Sequence, residues 1–159
     1  MKTQQETFDR VWQRVRSGPE PELPELTACP VQLPALAVDT LQAAEDYALL
    51  ARRVRGRLGR RLYALAAEKQ AQAAMLQGLC AVTGSRCVAE KHPGMPREPL
   101  RQTLHRCCVR ELQWLEIFRM QQAEPAFGPA FSRLIQRQQR CCADALELLG
   151  GLGVPQVTR

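Results

Sequence analysis

The feature that most constrains the fold of this chain is an apolar stripe that is interrupted twice at its centre. The stripe steps by four and three residues through positions 58, 62, 65, 69, 72, 76 and 79, and five of these positions are Leu. Lys69 and Gln72 are the two exceptions. Because such spacing turns one side of an α-helix towards its neighbours, the segment is predicted to be a helix with two polar groups on its buried side.

A second segment repeats this pattern 69 residues later. Its stripe is interrupted at Gln138 and Cys141, which correspond to Lys69 and Gln72. The sequence from Gly59 to Leu65 also aligns with that from Gly128 to Leu134 at the same offset. A repeat two helices long indicates a duplicated hairpin. The remaining stripe positions are Phe127, Phe131, Leu134, Ala145 and Leu148.

Each hairpin is also predicted to carry one inward-facing carboxylate. Glu111 interrupts the stripe of a helix at about 99–122, and Glu45 takes a similar place on a helix at about 40–55 that Asp39 would cap. Glu45 aligns with Glu111 at an offset of 66, which implies a corner three residues longer in the second half. Buried carboxylates are costly unless they are paired or bind a metal, so four random interruptions are not expected.

These segments predict an all-α protein, an antiparallel four-helix bundle of two hairpins. The corners are short, and a loop at 84–97 rich in Pro and Gly would cross the bundle between the hairpins. The predicted parts are an N-terminal helix (3–16) with a Pro-rich tether within residues 1–38, the bundle at 39–151, and a tail at 152–159. The other two bundle helices are expected to end near Thr83 and to cover about 126–149.

The chain resembles the rubrerythrin-like branch of the ferritin-like superfamily over about residues 40–150. The resemblance rests on Leu-Ala-Ala-Glu-Lys-Gln-Ala-Gln at 65–72 and on Phe-Gly-Pro-Ala-Phe at 127–131. The segment Phe-Asp-Arg-Val-Trp at 8–12 also looks like that of small bacterial ferritin-like proteins. The resemblance implies two iron or manganese ions inside the bundle, held by one Glu and one Glu-x-x-His pair from each hairpin.

Most of these ligands are replaced in this chain. The resemblance assigns the single Glu ligands to Glu45 and Glu111, and it assigns the two Glu-x-x-His pairs to positions 69 and 72 and to positions 138 and 141. Those four positions hold Lys69, Gln72, Gln138 and Cys141. We therefore predict that Lys69 fills the space of the metal and bridges both carboxylates, while the two Gln side chains complete the hydrogen bonds.

The seven cysteines allow an alternative, which is a rebuilt site for a soft metal. Cys141, with Cys107 or Cys108 and with Glu111, could bind Zn or Cu(I) through thiolates. The simpler alternative is that these are reduced core thiols, since no Cys-x-x-Cys spacing is present.

A basic cluster gives a third possible site. Six arginines lie within ten positions, and they could bind an anion or form a solvated corner between helices. Nucleic acid is not the expected partner, because interleaved aromatic residues and nucleic-acid-binding motifs are missing. The six are Arg52, Arg53, Arg55, Arg57, Arg60 and Arg61.

The expected function is that of a non-catalytic scaffold or interaction protein that forms a homo-oligomer, such as a dimer, or binds a protein partner. The alternative is an oxidoreductase of rubrerythrin type that acts on peroxide or oxygen through a remnant or rebuilt site. No cofactor is expected unless the site still binds iron or manganese. Apolar stretches are too short for a membrane span, and the start lacks the apolar run of a signal peptide, so a cytoplasmic location is expected.

Overall fold

The computed structural model describes residues 33–87, 94 and 97–152, and all regular structure within these ranges is helical. The all-α prediction is therefore confirmed for the described residues. The predicted helix at 3–16, much of the tether and of the 84–97 loop, and nearly all of the tail lie outside them. The four helices are α1 (Leu33–Arg53), α2 (Gly56–Val82), α3 (Leu100–Gln122) and α4 (Gly128–Gly151).

The helices form a four-helix bundle in which α1 packs along α2, α3 packs along α4, and α2 contacts α4. Its apolar core is divided into two clusters. One is centred on Leu76, Phe118 and Phe131, and the other on Leu62 and Leu104. Lys69, Gln72, Glu111 and Gln138 lie between these clusters along α2, α3 and α4, so a polar layer crosses the middle of the bundle. Cys141 belongs to the second cluster.

Helix α1 begins seven residues earlier than predicted, at Leu33 instead of at residue 40 after Asp39. Asp39 is exposed within the helix, so it is not the N-cap, and residues 33–38 belong to α1 instead of the tether. Pro34 does not prevent this, because amides in the first turn have no acceptor within the helix and proline lacks only that donor. Leu33 and Leu36 are buried, so the apolar side of α1 extends to its first turn.

Helix α2 ends where the sequence predicts, at a glycine in the left-handed conformation. Gly84 has a φ of +70°, and its N–H donates to the carbonyl of Ala81 at 3.2 Å. The N–H of Ser85 donates to the carbonyl of Cys80 at 2.9 Å. This pair of bonds is the Schellman motif, which satisfies carbonyls left open at the end of a helix.

Two glycines related by the repeat allow close approach at the corners. A Cβ atom at Gly59 would lie 3.1 Å from the carbonyl oxygen of Val54, and one at Gly128 would lie 3.3 Å from that of Gln122. In each hairpin the second helix therefore starts against the backbone that ends the first. Glycine occupies both positions because a Cβ atom would crowd a backbone carbonyl, and not because the backbone there has a positive φ.

We predict that Gly59→Ala lowers the free energy of unfolding by about 1–2 kcal/mol, because the new methyl group meets a backbone carbonyl that cannot rotate away. Gly78→Ala is the matched control, since a Cβ there meets nothing within 4 Å. This change should raise stability by about 0.5–1 kcal/mol through helix propensity. Urea denaturation measures both. Equal stabilisation by the two changes would contradict the corner contact.

Candidate functional site

The polar side chains of α2, α3 and α4 converge at the centre of the bundle. Lys69, Gln72, Glu111 and Gln138 are all 0% exposed, and Cys141 is 1% exposed. The structure therefore brings together five of the six positions that the sequence singles out. A fully buried lysine requires compensation for the loss of its hydration.

Lys69 has an acceptor for each of its three ammonium hydrogens. Its Nζ forms an ion pair with Oε2 of Glu111, and it donates to Oε1 of Gln138 at 2.6 Å and to Oε1 of Gln72 at 3.2 Å. It also lies 4.7 Å from the centroid of the Trp114 ring, within the range of a cation–π interaction. The buried charge is thus fully hydrogen-bonded and has a counter-ion.

Glu111 accepts hydrogen bonds at both carboxylate oxygens. Oε1 accepts from the hydroxyl of Tyr47 at 3.0 Å, and Oε2 accepts from Nε2 of Gln138 at 2.7 Å as well as from Lys69. Nε2 of Gln138 also donates to the backbone carbonyl of Glu111 at 2.7 Å. Burial, and next the nearby Glu111 charge, raise the pKa of Tyr47, so its hydroxyl keeps the proton it donates.

The prediction that Glu45 faces inward is wrong. Glu45 is exposed, and α1 contributes Tyr47 to the centre instead. Two positions along a helix turn a side chain by roughly 200°, so the two residues lie on opposite sides. The predicted bridge from Lys69 to Glu45 is therefore not formed.

The repeat offset explains this error. The buried positions of α1 match those of α3 at an offset of 64, which pairs Tyr47 with Glu111 and Leu50 with Trp114. The segment from Tyr47 to Lys69 is five residues shorter than the segment from Glu111 to Gln138. The predicted offset of 66 implies a difference of three.

The central residues do not fit a dimetal centre. Among the described residues, Glu111 is the one buried carboxylate, and its ion-pair partner is an ammonium. The other polar groups at the centre are two primary amides and a phenol, which are weak ligands for iron or manganese. No group of three or more His, Cys, Asp or Glu in the described part of the chain is arranged to hold a metal ion.

The thiols around this network are buried and protonated. The pKa is raised to about 11 for Cys107 and Cys108 and to about 12 for Cys141, and burial is the largest cause in each case. Sγ of Cys141 accepts from Nε2 of Gln72 at 3.4 Å. Because soft metals bind the thiolate, these groups are poorly prepared for Zn or Cu(I). The predicted soft-metal cluster of Cys141, Cys107 or Cys108, and Glu111 is not formed in the described structure.

Two ion pairs lie beside the network. Arg110 donates to Asp46 at 2.7 Å, and its guanidinium lies 5.2 Å from the centroid of the Trp114 ring. Arg137 donates to both oxygens of Glu68, at 2.5 and 2.9 Å, and this bond is the main cause that lowers the pKa of Glu68. Each pair joins two helices, so both contribute to the register of the central layer.

The arginine cluster divides into one structural residue and five exposed residues. Arg61 is half-buried and donates to the two carboxylate oxygens of Glu147 at 2.8 and 3.0 Å, which joins α2 to α4. Arg52, Arg53, Arg55, Arg57 and Arg60 are exposed around the corner between α1 and α2. Arg53 donates to the backbone carbonyl of Glu98 at 2.9 Å.

A groove of about 360 Å³ lies on the surface between α1 and α3. Trp114 and Ile117 supply its apolar part. Arg110 lines it too, but its guanidinium is already bonded to Asp46. The groove holds no cluster of titratable groups that suggests catalysis. Its other lining residues are Asp39, Gln42 and Gln113.

We predict that Lys69→Met lowers the free energy of unfolding by about 3–5 kcal/mol, because it leaves the Glu111 charge buried without a counter-ion. The double change Lys69→Met with Glu111→Leu should cost less than the sum of the single changes. Arg61→Gln, which breaks the bond of the half-buried Arg61 to the exposed Glu147, is the control and should cost at most about 1 kcal/mol. Urea denaturation tests this double-mutant cycle, and additive losses would contradict the proposed pairing.

We also predict that stability falls as the pH rises above the ordinary thiol pKa of 9.0. The folded protein holds the thiol protons more tightly than the unfolded chain does, so deprotonation favours unfolding. For Cys141 the loss should continue up to about pH 12, its pKa in the folded protein. Denaturation curves between about pH 8 and 10.5 should show a shallower decline for Cys141→Ala. An identical decline in both proteins would contradict the shift.

Comparison of this chain with family models, with curated proteins and with solved structures gives no match. None of the described helices is both long enough and apolar enough to cross a membrane.

Proposed function

We propose that this protein is a ferritin-like bundle of rubrerythrin type in which a buried ion pair has replaced the dimetal centre. In this proposal it acts as a non-catalytic scaffold or interaction protein. The observation that carries the proposal is the burial of Lys69 between the two core clusters. All three of its ammonium hydrogens are bonded, one to Glu111 and two to glutamines.

The directions of the helices support a ferritin-like arrangement. Contacts between α2 and α4 pair Arg61 with Glu147 and Lys69 with Gln138, so a later residue of one helix meets an earlier residue of the other. Such pairing is expected for two helices that run in opposite directions. Short corners at 54–55 and 123–127 suit antiparallel hairpins, and the segment 83–99 between α2 and α3 would be the crossover.

When Tyr47 is aligned with Glu111, five of the six expected ligand positions are replaced instead of four. Tyr47, and not Glu45, stands where the first hairpin of the resembled family would supply its single Glu. Glu111 then remains as one carboxylate of an expected set of six ligands. The five replaced positions are Tyr47, Lys69, Gln72, Gln138 and Cys141.

Electrostatics explains why this centre would reject a metal. A dimetal site supplies about four carboxylates to balance two divalent ions. Here a single carboxylate is already neutralised by an ammonium. An ammonium at 4 Å from a divalent ion would oppose binding by roughly 8 kcal/mol at an effective dielectric constant near 20.

Exposed apolar residues support a role in association. Val109 and Leu112, three residues apart on α3, are 42% and 48% exposed, and Leu49 on α1 is 41% exposed. Scattered apolar residues are ordinary, but two on one face of a helix can contribute to an interface with a second copy or another protein.

We predict that the wild-type chain, purified with iron or manganese supplied, contains neither in stoichiometric amount by elemental analysis. Rebuilding the ligand set should create binding, because it restores four carboxylates and two imidazoles. The variant combines Tyr47→Glu, Lys69→Glu, Gln72→His, Gln138→Glu and Cys141→His. Its control adds Glu111→Ala, which should weaken the gained binding.

Two results would overturn the proposal. Stoichiometric iron or manganese in the wild type, lost in Glu111→Ala, would favour the rubrerythrin-type oxidoreductase. A rebuilt variant that keeps its helical circular dichroism and binds no metal would argue against the ferritin-like arrangement itself.

A further inference from the structure

The corner between α1 and α2 carries a dense cluster of positive charge, of which Arg57 acts at longer range on Glu147 of α4. Arg52, Arg53, Arg55, Arg57 and Arg60 are all exposed, and none has a carboxylate oxygen within 4 Å among the described residues. We call these five residues the arginine corner. Like charges at this density repel one another, so the surface is suited to a partner of negative charge.

The helix ends explain only part of this cluster. Arg52 and Arg53 lie in the last turn of α1, where cations interact favourably with the helix dipole. Arg55 and Arg57 stand at the start of α2, where cations are unfavourable, and Arg60 follows one turn later. The first turn of α2 contains no acidic residue, and Arg55 provides no side-chain cap. These three arginines therefore gain nothing from the helix that carries them.

We propose that the arginine corner binds the acidic, proline-rich segment of this same chain at residues 19–27. This segment reads Pro-Glu-Pro-Glu-Leu-Pro-Glu-Leu-Thr, with carboxylates at Glu20, Glu22 and Glu25 and no basic residue. It lies outside the described residues. A guanidinium donates two parallel hydrogen bonds to a carboxylate, as Arg61 does to Glu147 in this protein.

The connecting chain is long enough for this contact. Helix α1 has 21 residues, so the arginine corner lies about 30 Å from Leu33. A proline-rich chain extends about 3.1 Å per residue, which places Glu22 within about 34 Å of Leu33 and Glu20 within about 40 Å. Both carboxylates can thus reach the corner if the segment runs back along α1.

The groove between α1 and α3 lies beside this path. Ile117 and the edge of the largely buried Trp114 supply a small apolar surface there, and extended proline-containing segments bind in grooves lined by aromatic residues. Residues 26–32 include Leu26, Pro30 and Val31, which could occupy such a groove. The route therefore offers apolar contacts for one part of the segment and guanidinium groups for another.

Tethering favours this occupant over an external anion. A short linker gives its attached ligand an effective concentration in the millimolar range, which an external acidic partner must exceed. Each exposed ion pair contributes little, so the contact would be reversible and would weaken with added salt.

Hydrogen–deuterium exchange of the full-length chain tests this inference. Peptides that cover residues 19–33 should exchange about ten times more slowly in the wild type than in the variant Arg52→Gln, Arg55→Gln, Arg57→Gln and Arg60→Gln. The matched control is Arg133→Gln with Arg140→Gln, two exposed arginines on α4, which should leave the exchange unchanged.

Charge reversal gives a stricter test. Glu20→Arg, Glu22→Arg and Glu25→Arg together should remove the protection, and adding Arg52→Glu, Arg55→Glu, Arg57→Glu and Arg60→Glu should restore it. Failure of this restoration would overturn the inference.

Two further results would also overturn it. Protection that grows with protein concentration would show that a second copy supplies the carboxylates. Tight binding of a single-stranded DNA oligonucleotide, with no protection of residues 19–33, would assign the surface to an external polyanion. None of these readouts depends on metal content, so this inference and the proposed function can fail separately.

Discussion

The ion pair between Lys69 and Glu111 is the interaction on which the centre of this bundle depends. Each residue would be prohibitively costly to bury alone, and together they sum to no net charge. Gln72, Gln138 and Tyr47 supply the hydrogen bonds that the pair leaves open, so the polar layer is closed upon itself. Two apolar clusters can then lie on either side of it without a solvated channel between them.

The sequence identifies the central residues of α2, α3 and α4 because they interrupt stripes of large apolar side chains. Lys69 among leucines and Glu111 between Cys107 and Trp114 are conspicuous deviations from helical periodicity. Helix α1 has small residues such as Ala43, Ala44 and Ala48 around its centre, so its periodicity gives little contrast between a buried and an exposed side. Its register is set by contacts with other helices. Aligning Ala43-Ala44 with Cys107-Cys108 gives the offset of 64 and would have identified Tyr47.

Four of the side-chain contacts across the bundle join positions that the repeat makes equivalent. Tyr47 and Glu111 are related by the offset of 64, as are Asp46 and Arg110. Lys69 and Gln138 are related by the offset of 69, as are Glu68 and Arg137. If the halves arose by duplication, each of these positions once faced its own copy. Two identical charges cannot form a stable buried contact, so divergence into complementary partners is what allows the polar layer to close.

This complementarity has a consequence for recognition between separate molecules. If the first hairpins of two chains met through these faces, Lys69 would face another Lys69, and Asp46 and Glu68 would each oppose a carboxylate. Such a mispaired assembly would carry buried like charges, whereas the correct union of first and second hairpins carries none. The asymmetry that distinguishes the two halves therefore favours the union of a first with a second hairpin over a symmetric pairing of like hairpins.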